Sequence, residues 1–133
     1  MNIAFFLLPK NDVIVIDKES TIRQALEKME YHGYTAIPVI DSDGKYVDTL
    51  TEGDILWKIK HTKGLTFETT SKYYIKDVER KRQMMAVSIN SDMMDLLELA
   101  KKQNFVPVVD DQNVFIGIVR RSEIISYCFD QIK

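Results

Sequence analysis

The segment Tyr34-Thr35-Ala36-Ile37-Pro38-Val39-Ile40-Asp41, followed after Gly44 by Tyr46-Val47-Asp48-Thr49-Leu50-Thr51-Glu52-Gly53-Asp54, decides how this chain folds. A β-branched apolar run, a turn that Gly44 can complete with positive φ, a second run and a Thr-x-x-Asp helix start follow one another. The order predicts strand, turn, strand, helix. A second copy lies near the C-terminus, as Phe105-Val106-Pro107-Val108-Val109-Asp110 and Gly117-Ile118-Val119-Arg120-Arg121-Ser122-Glu123. Pro107 minus Pro38 and Glu123 minus Asp54 both give 69, so the back halves are in register without a gap. Leu97 minus Leu26 gives 71, which places a loss of two residues between helix and strand, near Tyr34 to Ile37. Two copies of one unit that bury each other's apolar faces make a closed pair and not a solenoid.

Outward from this stretch, Val13-Ile14-Val15-Ile16 is a β-branched run bounded by polar residues and predicts a buried strand. Ser20 offers an N-cap for a helix to about Tyr31, with Ile22, Ala25, Leu26 and Met29 on one face and Gly33 at its C-terminus. Ile3 to Leu8 is apolar all round, a short buried helix or a strand, and Pro9 closes it. From Thr51 a second helix runs through Ile55, Leu56 and Ile59. His61 to Ser71 is polar, holds Gly64 and several threonines, and shows no period; it reads as a linker. Lys72 to Arg82 has room for a short helix on Tyr73, Tyr74, Ile75 and Val78. The pattern then restarts with a strand at Met85 to Val87, a helix face of Met93, Leu96, Leu97 and Ala100, strands at Phe105 to Val109 and Val114 to Val119, and a last helix opened by Ser122.

A chain of 133 residues, 45% hydrophobic and 29% charged, suits one compact domain or two small repeats sharing a core. With 18 basic and 20 acidic residues it carries no positive field that argues for nucleic acid or a membrane surface. The single cysteine, Cys128, forms no internal disulfide, which suits a reducing cytoplasm, and its place beside Tyr127 and Phe129 predicts a buried, inert thiol. The Ile3 to Leu8 run lacks a basic n-region and a cleavage site and is too short to span a bilayer. His32 and His61 stand without paired ligands, so no metal site is expected. No nucleophile-base pair or Gly-rich phosphate loop suggests an enzyme, so no catalytic residue is assigned.

Two β-α-β-β-α units, each with an apolar-Pro-Val-apolar-Asp strand and a downstream strand-to-helix junction, resemble a tandem CBS domain pair, also called a Bateman module. The resemblance covers nearly the whole chain. It implies an α/β (α+β) fold of two repeats packed as a pseudo-two-fold pair, with the first repeat at 1–60, a linker at 61–71 and the second repeat at 72–133. It also implies a regulatory sensor of adenine nucleotides, homodimeric, acting on a downstream protein still to be identified. Carried onto this sequence, one cleft combines Ile14, Tyr34, Thr35 and Ala36 with Arg120, Arg121 and Glu123. The other combines Ala86, Phe105 and Val106 with Thr51 and Asp54. The Arg-Arg pair is similar to that of small stand-alone bacterial CBS proteins that sense cyclic di-AMP, whereas Asp54 suits AMP, ADP or ATP. No further cofactor is implied.

The chemistry at those positions is plain. A carboxylate at a helix start accepts ribose hydroxyls, free N–H groups beside Thr51 favour a phosphate, and planar arginine forks clamp phosphate oxygens. The sequence departs from the family where Arg120 replaces a threonine, Glu123 an aspartate, and Asp48 a glycine. A structural reading stands beside the functional one. Thr51 and Asp54 also fit a helix capping box, Arg120 and Arg121 a solvated surface, and Trp57 an interface contact. The alternative function is a ligand-free interaction module whose clefts are vestigial.

Overall fold

The computed structural model describes all residues from Met1 to Lys133. Seven strands are formed, β1 Leu8–Pro9, β2 Ile16–Asp17, β3 Ala36–Ile40, β4 Tyr46–Thr51, β5 Val87–Ser88, β6 Phe105–Val109 and β7 Phe115–Arg120. The helices are α1 Ile22–His32, α2 Glu52–His61, α3 Met93–Ala100 and α4 Arg121–Ile132, with short 3-10 turns at Ile3–Phe6, Lys10–Asp12, Phe67–Lys72 and Ile75–Asp77. None of these helices is long and apolar enough to cross a membrane. The chain divides into two compact units. The first-copy unit gathers Ile14–Ser42 and Val47–Gln83; the second-copy unit gathers Met1–Val13, Asp43–Tyr46 and Met84–Lys133.

In the first-copy unit the sheet order is β2-β3-β4, with β2 parallel to β3. A parallel neighbour requires a crossover, and α1 supplies it. Its N-cap is Thr21 and not Ser20: the Thr21 hydroxyl accepts from the Gln24 N–H at 3.2 Å while Gln24 Oε1 accepts from the Thr21 N–H at 2.8 Å, a complete capping box. Ser20 is otherwise engaged, its carbonyl accepting from the Ile75 N–H at 3.0 Å. Gly33 ends α1 at φ 69°, the left-handed conformation that a Cβ disfavours. The strand expected over Val13 to Ile16 contracts to β2, because Val13 closes the preceding 3-10 turn through the Lys10 carbonyl and the Lys28 ammonium binds the Val15 carbonyl at 2.9 Å. His61 to Ser71 carries a 3-10 turn packed against α1, with Leu65 and Thr70 buried; such a turn has no helical stripe to show in sequence.

The second-copy unit has sheet order β1-β7-β6-β5, with β5 parallel to β6 and β6 antiparallel to β7. The Ile3 to Leu8 run does both things the sequence allowed: Ile3–Phe6 is a 3-10 turn with Ile3 and Phe6 buried, and Leu8 enters β1 against β7. The strand expected at Met85 to Val87 starts later, at Val87, because the Gln103 amide takes both the N–H and the carbonyl of Met85. α4 begins at Arg121, one residue before Ser122. Cys128 is exposed on α4, contrary to its expected burial, because the apolar positions that face the core from this helix are Ile124 and Tyr127.

The two cores are built from matching positions. Ile37, Val39, Leu50 and Ile55 are buried in one, and Val106, Val108, Val119 and Ile124, each 69 residues later, in the other. Each such side chain contributes about 1.5–3 kcal/mol when removed from water. The two-residue loss falls earlier than expected, at His32 and Gly33. α1 ends on a left-handed glycine, whereas α3 ends on right-handed Lys101, with the Gln103 N–H donating to the Leu99 carbonyl.

Candidate functional site

In the first-copy unit the glycine turn places Tyr34 two residues before β3, its N–H donating to the Met29 carbonyl at 2.8 Å. Tyr34, Ala36 and Ile14 are half-buried and Thr35 is exposed. A hollow of about 330 Å³ lies there, bounded by Leu26, Met29, Gly33, Tyr34, Thr35 and Glu52. The Thr35 carbonyl accepts from the Glu52 N–H at 2.9 Å, so the strand start is tied to the first turn of α2. The second copy repeats this tie, the Arg121 N–H donating to the Asn104 carbonyl at 2.8 Å.

Thr51 and Asp54 form a capping box, with the Asp54 N–H on Thr51 Oγ1 and the Thr51 N–H on Asp54 Oδ2, both at 3.1 Å. Asp54 is only 3% exposed, and its second oxygen accepts from the Lys81 N–H at 2.9 Å. Of the N–H groups expected to be free at this helix start, those of Glu52 and Asp54 already have acceptors. Close by, Asp48 and Arg80 meet in a semi-buried ion pair, Nε 3.0 Å from Oδ2 and Nη2 donating to Oδ1 at 3.2 Å. Arg80 Nη1 also donates to the carbonyls of Ile75 and Val78. The buried Nε has no aligned acceptor, so its contact with Asp48 is electrostatic.

The matching junction in the second-copy unit is open. Arg120 precedes α4 without capping it, and its Nη2 reaches Glu123 Oε1 at 3.0 Å with both side chains about half exposed. Arg121 differs from its neighbour: its Nε donates to the Ala100 carbonyl at 2.8 Å, holding the end of α3. Ala86 and Phe105 are half-buried, while Val106 lies wholly within the core. Sequence reasoning missed Gln103, which is 5% exposed and whose amide also donates to the Phe105 carbonyl at 3.3 Å. Subtracting 69 from its number gives 34, the position of Tyr34, and that correspondence is the signal that finds it. Arg80 and Lys81 were missed as well, because a charged stretch without a period announces no contact.

The model of the CBS domain family matches residues 7–61 and 75–130. The chain belongs to the CBS domain family. It is a CBS pair, and its solved neighbours are CBS proteins of the same mixed α+β fold. CbpB of Listeria monocytogenes in complex with c-di-AMP superposes with a TM-score of 0.85 at 22% identity, over 97% of this chain and 96% of that one. CBSX2 in complex with AMP gives 0.76 at 22% identity, over 99% and 98%. A conserved protein of Geobacillus kaustophilus gives 0.88 at 24% identity, over 98% of each chain. Among curated sequences the chain is 28% identical over 116 residues to inosine-5'-monophosphate dehydrogenase of Methanocaldococcus jannaschii, covering 86% of this chain and 21% of the relative. An uncharacterised protein of the same archaeon is 24% identical over 116 residues, covering 85% and 39%. This CBS chain thus spans well under two thirds of either curated relative.

Proposed function

We propose that this CBS pair is a non-enzymatic regulatory sensor that binds an adenosine-containing nucleotide, AMP, ADP, ATP or cyclic di-AMP, and transmits the bound state to a partner protein. The observation that carries the reading is Arg120. It is a half-exposed guanidinium at the start of α4 that caps nothing and is held only by Glu123, so it can turn to a phosphate at little cost. The nucleotides named for CbpB and CBSX2 support the ligand class.

In this proposal Ile14, Tyr34, Thr35 and Ala36 hold the base while Arg120, Arg121 and Glu123 serve phosphate and ribose. Ala86, Phe105 and Val106, with Thr51 and Asp54, are the residues of a second position. The protein acts in the cytoplasm as a homodimer. Ile125, Phe129 and Ile132, exposed on one stripe of α4, support the dimer. The engagement of Asp54 by Thr51 and Lys81 favours a second reading in which the clefts are vestigial and the chain only binds protein.

Thermal denaturation against AMP, ADP, ATP and cyclic di-AMP tests the proposal. A ligand present at 100 times its Kd adds about 2.7 kcal/mol. In a domain of this size that raises Tm by roughly 10 °C. Unchanged Tm with all four would favour the protein-binding reading.

A further inference from the structure

We infer that the segment Glu79–Lys81 is a strap that gates the Thr51–Asp54 junction, keeping the Asp54 carboxylate from a ribose until the Arg80–Asp48 clip releases. The inference rests on the nucleotide-sensor reading above. It starts from a comparison of matching positions. Seventy-one residues before Arg80 stands Pro9, and 69 residues after Asp48 stands Gly117. In the second-copy unit those two are strand partners, Pro9 opposite Gly117 in the β1–β7 ladder. That approach needs a glycine, because a Cβ at position 117 would overlap the Leu8 carbonyl.

In the first-copy unit Asp48 occupies the glycine's place, and a side chain there blocks so close a backbone approach. The strap is held instead by the side-chain clip from Arg80 to Asp48. The held strap places the Lys81 N–H on Asp54 Oδ1 at 2.9 Å. With the Thr51 N–H on Oδ2, each carboxylate oxygen has one protein donor, and the group is sealed at 3% exposure. Each oxygen keeps a second lone pair, but at 3% exposure a ribose hydroxyl finds room beside it only when the strap moves aside.

The strap is suited to move. Val78 is its buried anchor, while Glu79 and Lys81 are exposed. Between it and α2 lies a hollow of about 230 Å³ with Asp54 in its wall, lined also by Trp57, Lys58, His61, Glu79 and Lys81. A ladder strand is held by backbone bonds that break together; this strap is held by the Arg80 side chain, through Asp48 and the carbonyls of Ile75 and Val78, and by the single Lys81 amide bond. Arg80 is therefore a positioning residue that acts on Asp54 through Lys81. Trp57, the only tryptophan, lines the hollow and reports on the strap.

The test is hydrogen exchange at the Lys81 amide of the full chain, Trp57 emission, and calorimetric titration with AMP and with cyclic di-AMP, in wild type and Arg80→Ala. If Arg80→Ala fails to fold, Asp48→Asn/Arg80→Met removes both charges and keeps the volume. The strap predicts a protected Lys81 amide in wild type. In the variant, exchange is at least about tenfold faster, Trp57 emission shifts, and AMP affinity at the Asp54 position rises by about tenfold, the inverse of the open fraction. A purely structural role for Arg80 would weaken binding, not strengthen it. Unchanged exchange, or faster exchange without tighter AMP binding while wild type still binds nucleotide through Arg120, overturns the gate and leaves the sensor reading standing. No binding of either nucleotide by wild type or variant overturns the sensor reading and the gate with it.

Discussion

Gly117 lies against Leu8 so closely that a Cβ built on it would overlap the Leu8 carbonyl oxygen and stand 2.8 Å from Leu7 Cδ1. The obstruction is mostly backbone, which cannot rotate away. Gly117→Ala should therefore strip β1 from β7 or shift the strand, costing about 2–3 kcal/mol. Urea denaturation checks this, with a Tm lower by roughly 10 °C as the thermal counterpart. The equivalent Asp48→Gly makes no room that anything fills and instead leaves Arg80 without its partner.

Arg80 and Asp48 are only 14% and 26% exposed, so their pairing counts for more than a surface ion pair. Arg80→Ala also frees the carbonyls of Ile75 and Val78. A loss of about 2–3 kcal/mol is expected in chemical denaturation. Replacing both residues together should cost less than the sum of the single changes, and a double-mutant cycle measures the difference.

Neighbouring arginines should separate by experiment. Arg120 is held only by Glu123 at the surface, so Arg120→Ala should leave stability within about 0.5 kcal/mol while weakening nucleotide binding about 10- to 100-fold. Arg121 holds the Ala100 carbonyl, so Arg121→Ala should cost about 1–2 kcal/mol of stability as well as affinity. Parallel melts and titrations of the two variants give the comparison.

Thr51→Val keeps the shape of the capping residue and removes its hydroxyl, leaving the Asp54 N–H without an acceptor. The expected cost is about 1 kcal/mol, read as a lower denaturation midpoint. Thr21→Val should behave alike at the start of α1.

The apolar stripe of Ile125, Phe129 and Ile132 on α4 yields the oligomer prediction. Phe129→Glu should convert the proposed homodimer to monomer in sedimentation velocity without lowering Tm of the monomer, since Phe129 is exposed within the chain.

Much of this fold is legible in the sequence, because period and repeat report on burial. The apolar run at Ala36 to Ile40 and its copy at Phe105 to Val109 became β3 and β6, and the positive φ of Gly33 and Gly44 followed from their places after a helix and in a turn. What escaped was set by contacts distant in sequence. Nothing local in Met85 says that the Gln103 amide will replace its strand partner, and nothing in Lys81 says that its N–H will end on Asp54. The Thr51–Asp54 pattern was visible as a capping box and as a ligand motif at once. The capping box is formed, with both hydrogen bonds at 3.1 Å. Cys128 was misplaced because its aromatic neighbours suggested a core that faces the other side of α4.

The most direct measurement is calorimetric titration of wild type and Arg120→Ala with AMP and cyclic di-AMP. The sensor account predicts saturable binding of at least one of the two by wild type, at micromolar Kd or tighter, weakened about 10- to 100-fold in Arg120→Ala. Absence of binding in wild type, or equal affinity in the variant, would contradict it.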